Sequence, residues 1–334
     1  MTDQEKQLEA FHRIDALHSE AFRSCFKGLR FHGWGQTGPD FHAYLHKENR
    51  YFADSDYYYR GEREFFHLTS IGNLFSIMNE RAFRMYNLDS SDDEEEYGYA
   101  GKVLGLSPWQ IDHAKRFFFT MSFCPIGDLE NRHVWETYGG NFSRAAIIFS
   151  VEDDPMAWDN FHMAEVKYAS IEPFKEYGER VKGIERGWEG ITVRCDLSQL
   201  TGFHKAEQWA GEKEVRISTY YPYDNLEAYW KYAKADYRLK EGRNRVTYYI
   251  DLPIPVDNES HYIKSFGKPE LDRTQILPPG YFDTRPRIKI KKILIGANSG
   301  HTIQEYDKLR DVLIETARNR LGYDVEIDYN MFSF

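Results

Sequence analysis

The alternation of apolar and polar positions divides the chain into a helical start, a series of short strands, and a closing helix and strand. Over residues 3–27, Ile14, Leu17, Ala21 and Cys25 fall at i, i+3, i+7 and i+11, and Phe11 and Phe22 widen the stripe. This spacing predicts one amphipathic helix. GWGQTGPD then reads as a Gly-rich turn, and FHAYLHKENRYFADSDYYYRG is aromatic and at best helical over short runs. Residues 1–60 are therefore expected to form an N-terminal helical extension, with the main domain over 61–334.

From Glu64 the pattern changes. Glu64–Leu68 has strand character, Thr69 or Ser70 can cap a helix starting at Ile71, and Ile71, Leu74, Phe75 and Met78 give it an apolar face. NLDSSDDEEEYGYAG reads as a polar loop whose acidic run is solvated. RFFFTMSFC (116–124), RAAIIFSV (144–151), AEVKY (164–168), GITVRC (190–195) and EKEVRISTYY (212–221) read as strands, with Val215 and Ile217 on one side. NRHVWETYGGN reads as a short helix or turn ended by glycines, and 169–200 as mainly helical before GITVRC. Residues 224–245 read as a charged helix and RVTYYIDLPIPV as extended. RPRIKIKKILIGA (285–297) is a clear strand, and Ile303, Tyr306, Leu309, Val312, Leu313 and Ala317 are spaced to face a core from the helix that follows. YDVEIDY closes the chain as a strand. Strands and helices mix without βαβ alternation, which predicts an α+β fold rather than a doubly wound sheet.

Composition narrows this a little. Aromatics make up 16% of the 334 residues, enough for both a core and stacking surfaces. The formal net charge of −10 argues against unspecific attraction of the whole molecule to nucleic acid, though not against a local basic groove. Cys25, Cys124 and Cys195 lack metal-type spacing and suit reduced thiols. The start MTDQEKQLEAF has no apolar signal core and no run approaches membrane-spanning length, so a cytoplasmic chain without membrane contact is expected. His42 and His46 stand at i, i+4 but lack a catalytic Glu or a third ligand, so no metal is expected. GANSGHT lacks the lysine and spacing of a phosphate loop.

Three pieces remain: His67-Leu-Thr69-Ser70, Trp135-x-x-Tyr138-Gly139, and Glu212-Lys-Glu214-Val-Arg216. Each alone has an ordinary account as a strand end, a core pair on a helix, and an exposed strand edge. In this order they resemble the bacterial family of unknown function numbered 2971 and, through it, the ADP-ribosyltransferase fold. The family's His-Tyr-Thr-Ser-like strand end and helix correspond to HLTSIGNLFSIM, its Ser-Phe-Ser strand to MSFC, and its Trp-x-x-Tyr-Gly to WETYGG. Its Glu-x-Glu-Trp-Arg strand corresponds to EKEVR, and its isoleucine-isoleucine-glycine strand to ILIGANSG. The resemblance covers roughly residues 62–330. LDSSDDEEE replaces the usual Asn-Asp-Pro loop, and Val215 stands where a Trp is common.

The resemblance implies a split β-sheet core with NAD as substrate in the cleft. His67 would bind a ribose hydroxyl, supported by Thr69 and Ser70, with Ser122 assisting from the second strand. Trp135 or Tyr138 would stack on the nicotinamide. Glu214 would stabilise the oxocarbenium-like centre formed as nicotinamide leaves, and Glu212 would position or deprotonate the acceptor. Strand spacing puts both carboxylates on one face, with Arg216 next on it, able to pair with a carboxylate or a phosphate. The implied activity is that of an intracellular ADP-ribosyltransferase, a toxin or phage-defence effector with a neutralising, antitoxin-type partner protein. Water as acceptor would make it an NAD glycohydrolase, and loss of the chemistry would leave a nucleotide-binding module. For the acceptor, Arg287, Lys289 and Lys291 alternate with Ile288 and Ile290 in a basic face. A second cluster, Lys231, Lys234, Arg238, Lys240, Arg243 and Arg245, is interleaved with aromatics, and both favour nucleic acid.

Overall fold

The computed structural model describes residues 3–37, 40–91, 95–188, 190–221, 233–240, 243–255, 262–264, 274–276 and 281–329. Helix α1 (Asp3–Cys25) forms where the spacing predicts it. Its buried positions are Ile14, His18, Ala21 and Phe22, whereas Leu17 is exposed. His18 fits on the buried face because its Nε2 lies 2.6 Å from the Tyr177 hydroxyl. Strands β1 (Phe31–Thr37) and β2 (Asp40–Leu45) form an antiparallel hairpin where short helical runs were expected. The period-two burial of Phe41, Ala43 and Leu45 is the local reason. β2 pairs in parallel with Thr192–Asp196, so the N-terminal segment completes its sheet with a strand far along the chain. His42 thus lies on a strand, and His46 stacks on Tyr51 at 3.5 Å; the helical spacing that suggested a metal pair does not exist.

Next come β3 (Glu64–Thr69), α2 (Ile71–Glu80) and β4 (Ala82–Asn87). Ser70 caps α2 by accepting the Asn73 N–H at 3.1 Å. Helices α3 (Gly98–Val103) and α4 (Pro108–Phe117) follow, the latter started by a Ser107–Gln110 capping box. Then come β5 (Phe118–Pro125), α5 (Arg132–Thr137), β6 (Ala145–Val151), β7 (His162–Glu165), β8 (Lys167–Tyr168) and α6 (Glu172–Gly187). The chain continues with β9 (Thr192–Asp196), α7 (Ser198–Thr201), β10 (His204–Lys205) and β11 (Val215–Tyr220). β12 (Lys234–Lys240) and β13 (Arg243–Pro253) pair antiparallel where a charged helix was expected, while Lys231 lies outside the described residues. After β14 (Tyr262–Lys264) and β15 (Thr274–Ile276), the chain ends in β16 (Ile288–Ile295), α8 (Ile303–Leu321) and β17 (Glu326–Tyr329). Leu313 and Ala317 of α8 are buried, but Ile303 and Val312 face solvent. No helix among the described residues is long and apolar enough to cross a membrane.

The fold is α+β around one mixed sheet, in the order β12–β13–β4–β5–β3–β6–β16–β17, with β11 paired to β5 and β7 to β11. Both faces of β6 are buried. Ile147 and Phe149 join the core beneath α2 and α8, and Ala146 and Ile148 join the cluster around α5. A second apolar cluster ties α1 to α6 through Phe22, Phe26, Phe174 and Tyr177.

What positions the cleft is the sharing of β5. β11 runs along it from Phe118 to Phe123, and β4 pairs with it only at Phe119 and Thr120. β3 pairs with it only at Cys124 and Pro125. Beyond Phe66, β3 leaves β5 and stays with β6 through Thr69. The sheet therefore splits into two halves at β5, and polar residues at the split are not covered by a neighbouring strand.

Candidate active site at the split in the sheet

A cavity of about 560 Å³ opens at the split, a size typical of small-molecule sites. Its lining includes His67, Ser122, Tyr138, Glu212, Glu214 and Arg216, brought together from four separate stretches of chain.

On the β3 side, the His67 imidazole lies 3.0 Å from the Ser122 carbonyl through Nδ1. A carbonyl only accepts, so Nδ1 carries the proton and Nε2 keeps its lone pair. Burial lowers the pKa of His67 below its ordinary value, outweighing the Ser122 carbonyl, so the ring is neutral near pH 7.

The β11 side holds a buried charge cluster. Glu212 ends a 3₁₀ turn over Glu207–Glu212, Lys213 adopts the left-handed conformation at φ 46°, and the strand starts only at Val215. The two carboxylates are thus not neighbours on a strand face as their spacing predicted. They meet on a cation instead: Lys205 Nζ lies 2.8 Å from Glu212 and 2.7 Å from Glu214. Arg216 grips Glu214 through Nε at 2.5 Å and Nη2 at 3.1 Å, donates to the Gly202 carbonyl at 2.5 Å, and pairs with Glu96. With 1% of its side chain exposed, Arg216 is engaged by Glu214, Glu96 and the Gly202 carbonyl.

The two glutamates end in opposite protonation states. For Glu214, burial pushes the pKa up, but Arg216 and then Lys205 outweigh it and hold the group well below the carboxylate range. For Glu212, burial and then the adjacent Glu214 charge push the pKa up to about 8. The Tyr138 hydroxyl donates to Glu212. The formal count agrees with this, since among the described residues Glu96, Glu212 and Glu214 face only Lys205 and Arg216.

Six expected residues lie elsewhere. Trp135 is fully buried in the core, donates its indole N–H to the Leu129 carbonyl at 2.7 Å and stacks on Phe142 at 5.5 Å. It forms no wall of the cavity. Ser70 is used by the α2 cap, and Thr69 is buried opposite Ala145. Arg287, Lys289 and Lys291 are not part of the cavity lining either. Arg287 pairs with Asp283 and Lys291 with Glu152, while Lys289 lies over the Tyr323 ring at 5.3 Å. Lys234 of the second basic cluster pairs with Asp251.

Glu96 and Lys205 were not anticipated. Glu96 ends an acidic run that looked solvated, yet it is 4% exposed and accepts from Ser91 and Arg216. Trp209, beneath Lys205 at 5.8 Å, supplies an aromatic wall that the Trp-x-x-Tyr motif did not indicate. Thr120 and Cys124, by contrast, were findable: they alternate with Ser122 along β5 and line the cavity with it. Burial and then Glu214 push the Cys124 thiol up to about 12, so it is no nucleophile at neutral pH.

A family-model scan, a search of curated proteins and a search of solved structures each return no match for the chain.

A larger opening of about 930 Å³ lies between β2, α4, α6 and β9. It gathers none of the residues to which the resemblance gives a role, and its Lys175 and Lys182 pair with Glu172 and Glu179. The chemistry concentrates in the smaller cavity.

Proposed function

We propose that the cleft binds NAD, breaks the bond between its ribose and nicotinamide, and passes ADP-ribose to an acceptor, on an ADP-ribosyltransferase-like fold. The observation that supports this most is the convergence of His67, Ser122, Glu212 and Glu214 on one cavity at the split. These are residues to which the family resemblance gives the sugar, the cofactor support and the reacting centre.

The cavity's own groups fit such a ligand. With Nδ1–H held by Ser122, His67 presents Nε2 as an acceptor for a sugar hydroxyl. Tyr138 and Trp209 offer aromatic surface for a flat ring. Loss of nicotinamide leaves positive charge at the sugar carbon, which a preorganised carboxylate stabilises. Glu214 is held ionised for that task by Arg216 and Lys205. Glu212, with its raised pKa, is the group able to take or give a proton on the acceptor side.

Nucleic acid is the first acceptor to test. The protein is incubated with NAD labelled in the ADP-ribose part, with RNA, DNA or cellular protein, and both nicotinamide release and transferred label are measured. Label on a macromolecule is the expected result. Nicotinamide release with no transfer would make water the acceptor and the protein a glycohydrolase. Absence of both would overturn the reading.

A further inference from the structure

The charge cluster has an imbalance that geometry alone sets. Glu96, Glu212 and Glu214 are each no more than 7% exposed as side chains, and among the described residues only Lys205 and Arg216 oppose them. The other groups around Glu212 add no positive charge. Tyr138 at the end of α5 donates a hydroxyl to it, and the Cys124 thiol on β5 donates to its backbone carbonyl at 3.4 Å. The Tyr168 hydroxyl on β8 is occupied by the Glu214 N–H at 3.0 Å, and burial before all else raises its pKa, so it stays a neutral phenol. His67 is neutral, His133 is exposed beside Gly211, and Asp128 is paired with Lys213 at 2.7 Å. With every carboxylate ionised the cluster would carry a formal charge of −1 out of water, which is costly without a further cation.

We propose that the cluster holds one exchangeable proton on Glu212 and gives it up when a ligand with a positively charged ring enters the cleft. The cleft is thereby a cation-selective site: it takes an oxidised, pyridinium-bearing ligand and discriminates against the neutral, reduced form. The reading of NAD as substrate supplies the choice of ligand. Only the ligand's charge matters here, so a pyridinium other than NAD serves as the probe. On binding, the O–H bond of Glu212 breaks, the proton goes to solvent, and the ligand's ring charge replaces it. Glu212 then becomes a carboxylate only when a cation is present, so that it can act as a base on an acceptor at neutral pH.

The probes are 1-methylnicotinamide, a permanent pyridinium, and neutral nicotinamide, titrated calorimetrically from about pH 6 to pH 9 in two buffers of different ionisation enthalpy. One proton exchanged for one cation means that affinity for the pyridinium rises about tenfold per pH unit and levels off above the Glu212 pKa. The buffer comparison should give close to one proton released per ligand at pH 7. Nicotinamide affinity should not vary with pH, and Glu212→Gln should remove the pyridinium's slope. Wild-type protein alone decides the matter through the proton count, whatever the variant does. Pyridinium binding with no proton release, or no preference for it over nicotinamide, overturns the inference. NAD binding without a pH slope would sink this inference and leave the proposed function standing. A sloped pyridinium isotherm with no NAD binding would do the reverse.

Discussion

Lys205 is the side chain whose removal tests the cluster most directly. It lies 2.8 Å from Glu212, 2.7 Å from Glu214 and 3.8 Å from Glu96, with 10% of its side chain exposed. Lys205→Met keeps the length of the stem and its packing beside Trp209 while deleting the charge. Breaking a buried ion pair by removing one partner costs about 3–5 kcal/mol, because the other partner is left uncompensated. The cost should depend on pH in a definite sense. Without Lys205, three carboxylates share only Arg216, so the folded variant binds one proton more than the folded wild type. Each pH unit over which that difference persists is worth about 1.4 kcal/mol, in favour of the variant as pH falls. Over roughly two units this recovers about 3 kcal/mol, so most of the loss near pH 7.5 should be gone near pH 5. Urea unfolding of both proteins at these two pH values measures it. An equal loss at both would mean that Lys205 matters for its hydrocarbon stem, and the electrostatic account of the site would fall with it.

Other substitutions separate the roles. Glu214→Gln removes the carboxylate that Arg216 and Lys205 share and, because Glu96 and Glu212 still face those cations, should cost up to about 3 kcal/mol near pH 7 in the same assay. Because the Glu214 pKa is depressed, that contribution exists above the ordinary carboxylate range and is lost as pH falls, so the variant and wild type should converge in acid. Glu212 behaves in the opposite way: with its pKa raised from 4.5 to about 8, wild-type stability falls as pH climbs through that window. Glu212→Gln should therefore match wild type near the lower end and exceed it by up to a few kcal/mol at the upper end; a less stable variant at pH 8 would contradict the raised pKa. His67→Ala should weaken NAD binding by about 1–3 kcal/mol in a titration while leaving the circular dichroism spectrum unchanged. Trp135→Phe loses one buried hydrogen bond, to the Leu129 carbonyl, and should lower stability by about 1 kcal/mol with NAD affinity intact; a large drop in affinity would return Trp135 to the site.

Much of the sheet was legible because its strands announce themselves locally. β3, β5, β6, β11 and β16 carry apolar runs or alternations long enough to see, and Ser70 caps α2 from the position the sequence indicates. β1 and β2 were obscured by glycines and by aromatics that suit either state, although Phe41, Ala43 and Leu45 alternate as buried strand positions do. The site divides in the same way. His67, Ser122 and Glu214 sit on or beside recognisable strands. Glu96 could not be read, because nothing in DDEEE distinguishes its last member from the others. What turns Glu96 inward is the next residue, Tyr97, fully buried and held at φ 65°, a conformation a bulky side chain takes only when packing dictates it. Lys205 is likewise a tertiary outcome: a two-residue strand paired in parallel with β8 sets it between the carboxylates.

The divergence of the two glutamates follows from one residue between them. On a regular strand, Glu212 and Glu214 would project side by side and face the same neighbours, and two like charges so placed would share one environment. The left-handed Lys213 breaks that symmetry. It puts Glu214 at the head of β11, within reach of Arg216 two residues on, and leaves Glu212 on the preceding turn, where Lys205, the Tyr138 hydroxyl and the Glu214 carboxylate meet it. One carboxyl is thereby fixed as an anion and the other poised to hold a proton near neutral pH. Opposite states in adjacent carboxyls are what a site needs if one is to stabilise charge while the other moves a proton. A position with φ of 46° is tolerated by glycine without strain and by lysine only at some cost. Lys213→Gly should therefore preserve the turn, the separation of the two pKa values and the activity. Lys213→Val, whose β-branched side chain disfavours that conformation, should drive the segment toward a regular strand. Titration of the two carboxyls by NMR in the valine variant should find their pKa values drawn together; if they stay as far apart as in wild type, the backbone turn is not what sets them.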